Sequence, residues 1–444
     1  MNTSRPLLKI LGLSFGLAVT IGNTIGGGIL RTPGDVAALL PNPWLFVGIW
    51  AVGGLYALLG ANALSELGTM LPRSGGQYVF ARHVFGNYTG FLVGWIDWIS
   101  TCASMGAISL VIGESLARVG NLPPRSATPF AMAIVVVFTA LLMHGTRMGD
   151  CAQQITSLAK TLALLALVAA CFAFAGRAYV TAPRSGESTT VSTTMFAAFM
   201  LAAQSVIYTY DGWAGAIYFS EELDDPARQI PRSMFYGLLA VSVIYLLINV
   251  AFITAVPTTT LAGSPLAAGT VARALFGNAG ELLVRLVVIV SLPSAVNACL
   301  LMASRVLFSV SRDGLGMSYA TRVNAGGTPV IALALSAAVA LAFLASGTFE
   351  TIIAIAAFFF VADYTLSFVA VFVLRHRKPT AVRPYRALGH PWTTGFVLLG
   401  SLGFLASAVI ADRQNSLYAL GIVLVSYPVY RLTRRSRHPA PSAS

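Results

Sequence analysis

Thr20-Ile21-Gly22-Asn23-Thr24-Ile25-Gly26-Gly27-Gly28-Ile29-Leu30 lies inside the first long apolar run, where a membrane-spanning helix would be expected to continue unbroken. Four glycines fall within seven positions, with Asn23 and Thr24 among them. Each glycine costs a helix roughly 1 kcal/mol relative to alanine and lets the backbone approach a ligand closely. Inside a bilayer, unwound backbone is tolerated only where protein buries it or where it lines a water-filled cavity. Two readings fit: a helix broken at mid-membrane with amide and carbonyl groups aimed at something polar, or a glycine-rich face for helix packing. The rest of the chain favours the first.

Of the 444 residues, 56% are hydrophobic and only 10% charged, and the mean hydropathy is +0.77, which excludes an ordinary soluble domain. Apolar runs of about 20 residues recur, each long enough to cross a hydrocarbon core. The first run does not read as a cleaved signal peptide, because Pro33-Gly34 follows it and no small-residue cleavage site stands out. The four cysteines (Cys102, Cys151, Cys171, Cys299) have no metal-ligand spacing and read as small packing residues.

Runs between polar or Pro/Gly breaks predict twelve spans, near 12–39, 44–71, 87–117, 128–146, 153–175, 195–222, 233–256, 281–311, 328–346, 351–374, 393–411 and 415–432. The third and eighth are long, which implies strong tilt or extension past the membrane. Twelve spans put both termini on one side. Eighteen lysines and arginines fall on that side, among them Arg5, Lys9, Arg73, Arg147, Arg312 and Arg375. Six fall opposite: Arg118, Arg125, Arg177, Arg184, Arg273 and Arg413. Arg31, Lys160, Arg285 and Arg305 lie within spans. The positive-inside rule then places both termini in the cytoplasm. The formal charge of +12 is thereby accounted for as membrane topology rather than a nucleic-acid surface.

The sixth span is interrupted as well, at Tyr208-Thr209-Tyr210-Asp211-Gly212-Trp213. A charge or a helix breaker at mid-membrane marks a functional site by default. Breaks in spans one and six are corresponding positions of two five-span halves, and an odd number of spans per half forces opposite insertion. Paired interruptions of this kind point to a substrate site between inverted repeats. No residue-by-residue identity relates the halves, so the repeat rests on layout. The predicted parts are an N-terminus at 1–11, a first repeat at 12–175, a second at 195–374, a closing pair of spans at 393–432, and a tail at 433–444. The outer half of span one begins near Gly26–Gly28, so its positive pole faces the centre; the outer half of span six ends near Tyr208–Tyr210, so its negative pole does. A zwitterionic amino acid uses both poles.

These motifs resemble the amino acid–polyamine–organocation (APC) family of transporters, near its L-type amino acid transporter branch. The resemblance rests on Gly26-Gly27-Gly28-Ile29-Leu30, on Tyr210-Asp211-Gly212-Trp213 with Glu221-Glu222, Asp225-Pro226, Arg228 and Ile230-Pro231-Arg232, and on Glu66-Leu67-Gly68-Thr69-Met70-Leu71-Pro72-Arg73. Ser304-Arg305, Arg312-Asp313-Gly314 and Arg383-Pro384-Tyr385 extend it over most of the chain. It implies an all-α fold of twelve transmembrane helices, a five-plus-five inverted repeat with helices 1 and 6 discontinuous, and amino acid transport by alternating access. By that resemblance Gly26, Gly27 and Gly28 meet the substrate carboxylate, and main-chain carbonyls near Thr24, Tyr208 and Asp211 meet its amine. Three positions depart from the family: Gly27 where a serine is frequent, Ala214-Gly215 where the branch has asparagine, and Gln77 where an acid is common.

The predicted substrate-binding residues are therefore Thr24, Gly26, Gly27, Gly28, Tyr208, Thr209, Tyr210, Asp211, Gly212 and Trp213. Lys160, about seven residues into span five, reads either as a lysine snorkelling to the surface or, by the resemblance, as a built-in cation bridging spans one and eight in place of sodium. Asp211 reads as a helix cap or as a selectivity charge for a cationic side chain. Trp213 reads as a gate or as packing. Asp97 and Asp363 are further mid-span acids, read as buried and paired with a polar neighbour or as a proton relay. No paired His and acid, metal-ligand cluster or nucleophile elbow stands near the centre, so neither an enzyme nor a cofactor is expected. The expected partners are an amino acid and the bilayer, with no nucleic acid. The family's eukaryotic L-type members often pair with a glycoprotein through an outer-loop cysteine; the outer loops here have none, so no such subunit is expected. A cationic amino acid or polyamine carrier, and an amino acid sensor without flux, are the alternatives.

Overall fold

The computed structural model describes residues 11–143, 146–181, 195–346, 349–411 and 413–435. It is a helical assembly: α1 (Leu13–Thr24), α2 (Gly28–Leu39), α3 (Pro43–Met70), α4 (Gln77–Phe85), α5 (Asn87–Val119), α6 (Ala127–Met143), α7 (Thr146–Thr181) and α8 (Met195–Tyr210). The chain continues through α9 (Pro226–Ala255), α10 (Thr258–Leu261), α11 (Ala267–Ser291), α12 (Pro293–Arg312), α13 (Val330–Ser346), α14 (Phe349–Arg377), α15 (Trp392–Ala411) and α16 (Arg413–Arg435). Among the described residues the one strand-like pairing is an isolated bridge between Leu11 and Leu223.

Against the twelve expected spans, nine helical stretches of the described residues are long and apolar enough to cross a membrane. This is a multi-pass membrane protein. Two adjoining helices, α11 and α12, make one stretch of 46 residues, with Leu292 between them and Pro293, which has no N–H to give, opening α12. The eighth predicted span, 281–311, takes in the end of α11 and nearly all of α12. Gly277, at φ 65°, breaks α11 near its middle. The α8 segment is too short, with 16 residues, because its span stops at the second break.

Local chemistry sets several helix starts. Asn42 caps α3, its Oδ1 accepting from the N–H groups of Trp44 and Leu45, with Pro43 at the first position. Asp225 and Pro226 open α9 in the same way, through the N–H of Arg228.

The core is organised around α5, whose apolar stretch is 94% buried and which packs against α4, α6, α11, α12, α13, α14 and α16. Its middle, Ser100-Thr101-Cys102-Ala103-Ser104 with Gly106 and Ala107, is small-residue throughout, which lets neighbours approach closely where lipid supplies no hydrophobic drive between helices. Cys102, Cys171 and Cys299 are buried free thiols. The side chain of Cys151 lies outside the described residues.

Ion pairs gather at the two ends of the bundle. At one end, the arginine-rich face, Arg73 and Arg82 both reach Asp313, Arg312 meets Glu221 at 2.7 Å, Arg305 meets Glu222 at 3.0 Å, and Glu66 holds Arg375 and Arg383. At the other, Arg31 meets Glu114 at 3.2 Å and Glu281 gathers Arg273 and Arg285.

Candidate functional site

The first break is real backbone. α1 ends at Thr24, α2 starts at Gly28, and Ile25-Gly26-Gly27 between them is not helical. The second begins after Tyr210, where Asp211–Ala214 turn and Gly215–Phe219 form a short 3-10 segment rather than an inner α-helix. That corrects the reading of Asp211 as the cap of an inner helix, because Ala214 precedes that segment.

The two breaks are tied together. Tyr245 lends its hydroxyl to Thr24 O at 2.7 Å and Thr209 O at 3.1 Å, one from each break. Asn23 Nδ2 donates to Gly212 O at 3.3 Å. Gly212 has φ 106°, and a Cβ there would come within 2.6 Å of the Asn23 amide, so this contact requires glycine twice over. A Cβ on Gly28 would stand 3.0 Å from the Thr209 side chain, and the Thr209 hydroxyl donates to Thr32 Oγ1 at 2.9 Å.

Between the breaks lies a cavity with about 60 Å³ of free space. Of the predicted residues, Thr24, Gly26, Gly27, Gly28, Tyr208, Thr209, Asp211 and Gly212 line it. Tyr210 and Trp213 do not. Tyr210 turns away, donating to Trp50 O at 3.1 Å, and Trp213 stacks on Tyr364 with ring centroids 4.7 Å apart. Tyr364 faces the cavity and donates to Asp211 Oδ1 at 2.5 Å, so Trp213 backs the cavity wall from behind.

The remaining walls are Thr101, Ser104, Ile108 and Val111 of α5, Ala214, Gly215 and Tyr218 after the second break, Cys299 and Met302 of α12, and Phe360 and Tyr364 of α14. Ala214 and Gly215 stand out in the sequence as departures from the family pattern; the others sequence reasoning did not find, since it could not say which face of each helix turns inward. Asn23, quoted with the first break, also lines the cavity.

Lys160 does not line the cavity. It is 1% exposed, and its Nζ donates to Gly22 O at 2.7 Å and Ile25 O at 2.5 Å. Snorkelling is thereby overturned: the ammonium points into the protein, at the carbonyl end of α1, where a helix carries its negative pole. Both of those bonds go to span one.

Tyr208 is shared with a second space of about 410 Å³, lined also by Arg31, Asp35, Gln204, Ser205 and Pro265, towards the end opposite the arginine-rich face. Towards the arginine-rich face the way is filled by Tyr218, by Phe15 against Phe219 with centroids 5.1 Å apart, and by the buried Arg305–Glu222 pair.

A model of the family described as amino acid permease matches residues 11–427. The chain is 29% identical over 432 residues to the serine/threonine exchanger SteT of Bacillus subtilis (strain 168), covering 96% of each chain. It is 28% identical over 438 residues to the b(0,+)-type amino acid transporter 1 of Mus musculus, covering 97% of this chain and 88% of that one. It is 28% identical over 388 residues to the Asc-type amino acid transporter 1 of Mus musculus, covering 86% and 73%. A helix break packed against a second break around one cavity, in a multi-pass helical protein matched along nearly its whole length, leaves one assignment: this chain belongs to the amino acid permease family.

Proposed function

We propose that this permease moves small neutral L-amino acids across the membrane by alternating access, without sodium. Like its family and relatives it is a transporter and not an enzyme. One observation carries the reading. The amide end of α2 and the carbonyl end of α8 face one small cavity, so a carboxylate and an ammonium each find a complementary helix pole. Free space of about 60 Å³ suits a short side chain. A larger one requires Ile108, Val111, Met302 or Phe360 to move. A relative named as a serine/threonine exchanger supports the same size class.

The fold is read as twelve spans, two five-helix halves of opposite orientation and a closing pair, with both termini in the cytoplasm. The paired breaks support the repeat, and the lysine and arginine excess supports a cytoplasmic position for the arginine-rich face. The 410 Å³ space is then an outer vestibule, and Tyr208 stands between it and the site. Sodium independence follows from Lys160, whose ammonium already occupies the carbonyls at the end of α1. No obligate glycoprotein subunit is proposed, since the outer loops carry no cysteine.

The test is uptake of a radiolabelled amino acid panel into proteoliposomes, with and without sodium, a pH gradient and internal amino acid. Serine, threonine and alanine are expected to enter equally well with or without sodium. Strict sodium dependence, or no flux of any amino acid through folded protein, overturns the reading; substrate binding without flux makes the protein a sensor.

Asp211 on the cavity wall favours one second reading, a carrier of cationic amino acids or polyamines. Its bond from Tyr364 argues that the carboxylate positions that ring. Asp211→Asn is therefore expected to lower uptake of all substrates alike, by about tenfold, the weight of one weakened charged hydrogen bond. A loss confined to lysine, arginine or polyamines establishes the second reading instead.

A further inference from the structure

Behind the Tyr218 wall of the cavity lie two carboxylates that substrate binding does not use. Asp97 on α5 and Asp363 on α14 are 0% and 1% exposed. Among the described residues neither oxygen of Asp363 has a hydrogen-bond donor, and neither does Oδ2 of Asp97. Oδ1 of Asp97 has Tyr218 Oη at 2.9 Å and a distant Thr101 hydroxyl at 3.5 Å. The charges acting on Asp363 are those of Asp97 and Asp211, all of one sign.

Among the described residues the other elements packed on α14 supply no counter-charge to it. α15 has no titratable residue, and Tyr56 and Glu66 of α3, Tyr78, Arg82 and His83 of α4, Tyr208 and Tyr210 of α8, and Arg413, Tyr418, Tyr427, Tyr430 and Arg431 of α16 are engaged elsewhere or out of reach. Lys160 is held at the α1 carbonyls. An ionised carboxylate buried with no donor and two like charges nearby is untenable, so the group must carry a proton or a cation. Among the described residues no three His, Cys, Asp or Glu side chains gather as a metal site, and a proton satisfies the acid with no further ligand.

A second geometric fact points the same way. The single hydrogen of Tyr218 lies between two oxygens, Gln77 Oε1 at 2.8 Å and Asp97 Oδ1 at 2.9 Å. It can serve only one at a time, and a proton on Asp97 lets both contacts stand. Tyr218 also touches the cavity, so it joins the substrate space to the acids and, through Gln77, to the arginine-rich end.

We propose that Asp97 and Asp363 form the proton-coupling site of this permease. Each carboxylate carries a proton as O–H when the cavity faces the vestibule, and one of the two protons is released to water when it faces the other side, together with one substrate molecule. With a zwitterionic substrate each cycle then carries one net positive charge. This deepens the transport reading and rests on it.

The test uses the full chain in liposomes holding a trapped pH-sensitive dye, with L-serine as substrate. Wild type should acidify the lumen on serine addition. Asp363→Asn and Asp97→Asn should each lower that acidification by about tenfold or more while serine-for-serine exchange at equal pH stays within about threefold. Serine uptake by wild type without acidification overturns the proposal alone; absence of any serine uptake overturns the transport reading with it. Acidification by Asp363→Asn at the wild-type rate, or equal loss of acidification and exchange in both folded variants, also overturns it. Should the variants misfold, dicyclohexylcarbodiimide, which modifies protonated carboxyls in apolar surroundings, decides on wild type: modification at Asp363 with loss of acidification supports the site, and an unmodified Asp363 with acidification intact sinks it.

Discussion

Replacing Lys160 with methionine is expected to cut amino acid uptake by about a hundredfold or more. Its ammonium makes two charge-assisted hydrogen bonds, to Gly22 O and Ile25 O, within a fully buried pocket. Such bonds contribute about 1.5–3 kcal/mol each, so losing both costs about 3 kcal/mol at the least, or two decades in an equilibrium. The loss falls on function in particular. Ile25 is the first residue of the break and Gly22 belongs to the last turn before it, so the lysine fixes how α1 ends and hence where Gly26–Gly28 stand. Methionine keeps most of the bulk and removes the charge, and so separates the ammonium from simple packing. Uptake by Lys160→Met at the wild-type rate would remove the fixed cation from the mechanism. A stable, monodisperse variant that binds substrate weakly is the result expected, measured by thermal melting beside equilibrium binding. If sodium partly restores its uptake, the carbonyls that Lys160 leaves behind are acting as a cation site.

The breaks were legible in the sequence because their chemistry is local. Three glycines in a row, Gly26-Gly27-Gly28, and an acid beside a glycine, Asp211-Gly212, weaken a membrane helix locally, and the backbone leaves helical geometry at both places. Lys160 was legible as an anomaly, but not its direction, since a snorkelling stem and a buried one have the same sequence. The walls on α5 and α14 were not legible. A helix whose every face is apolar or small has no polar stripe to say which side turns inward, and Thr101, Ser104 and Phe360 look like any other positions of their spans. Asp97 and Asp363 could be seen as mid-span acids. That they lie within electrostatic reach of each other, far apart in sequence, depends on the packing of α5 against α14. The short helix α4 and the 3-10 form of Gly215–Phe219 were missed, being set by tertiary contact: a Cβ on Gly215 would stand 2.6 Å from Val19 Cγ1.

Glu222→Gln is expected to destabilise the protein by about 3–5 kcal/mol, the range for stripping one partner from a buried ion pair. Arg305 and Glu222 are 1% and 2% exposed and joined by two parallel bonds of 3.0 Å, Nε to Oε1 and Nη2 to Oε2. The guanidinium also sits over the Phe219 ring, 5.4 Å from its centroid. Take away the carboxylate charge and a buried arginine remains with nothing to balance it. The same turn is pinned through its backbone, Leu11 N–H donating to Glu222 O at 2.9 Å and Asp224 N–H to Leu11 O at 3.1 Å. A lost pair therefore loosens the segment that closes the cavity towards the arginine-rich face. Thermal melting in detergent should fall by about 5 °C or more for Glu222→Gln and for Arg305→Met. The double variant Arg305→Met with Glu222→Leu should recover most of that loss, because well-packed apolar side chains avoid the desolvation that the ions incur. Additive losses in the double variant would show that the two residues act separately, and the pair would then have no claim to hold that face shut. Recovery of melting without recovery of uptake would assign the ions to the cycle itself: a pair that must separate each time the cavity opens to the arginine-rich face sets the balance between the two orientations, and an apolar contact of equal strength sets a different one.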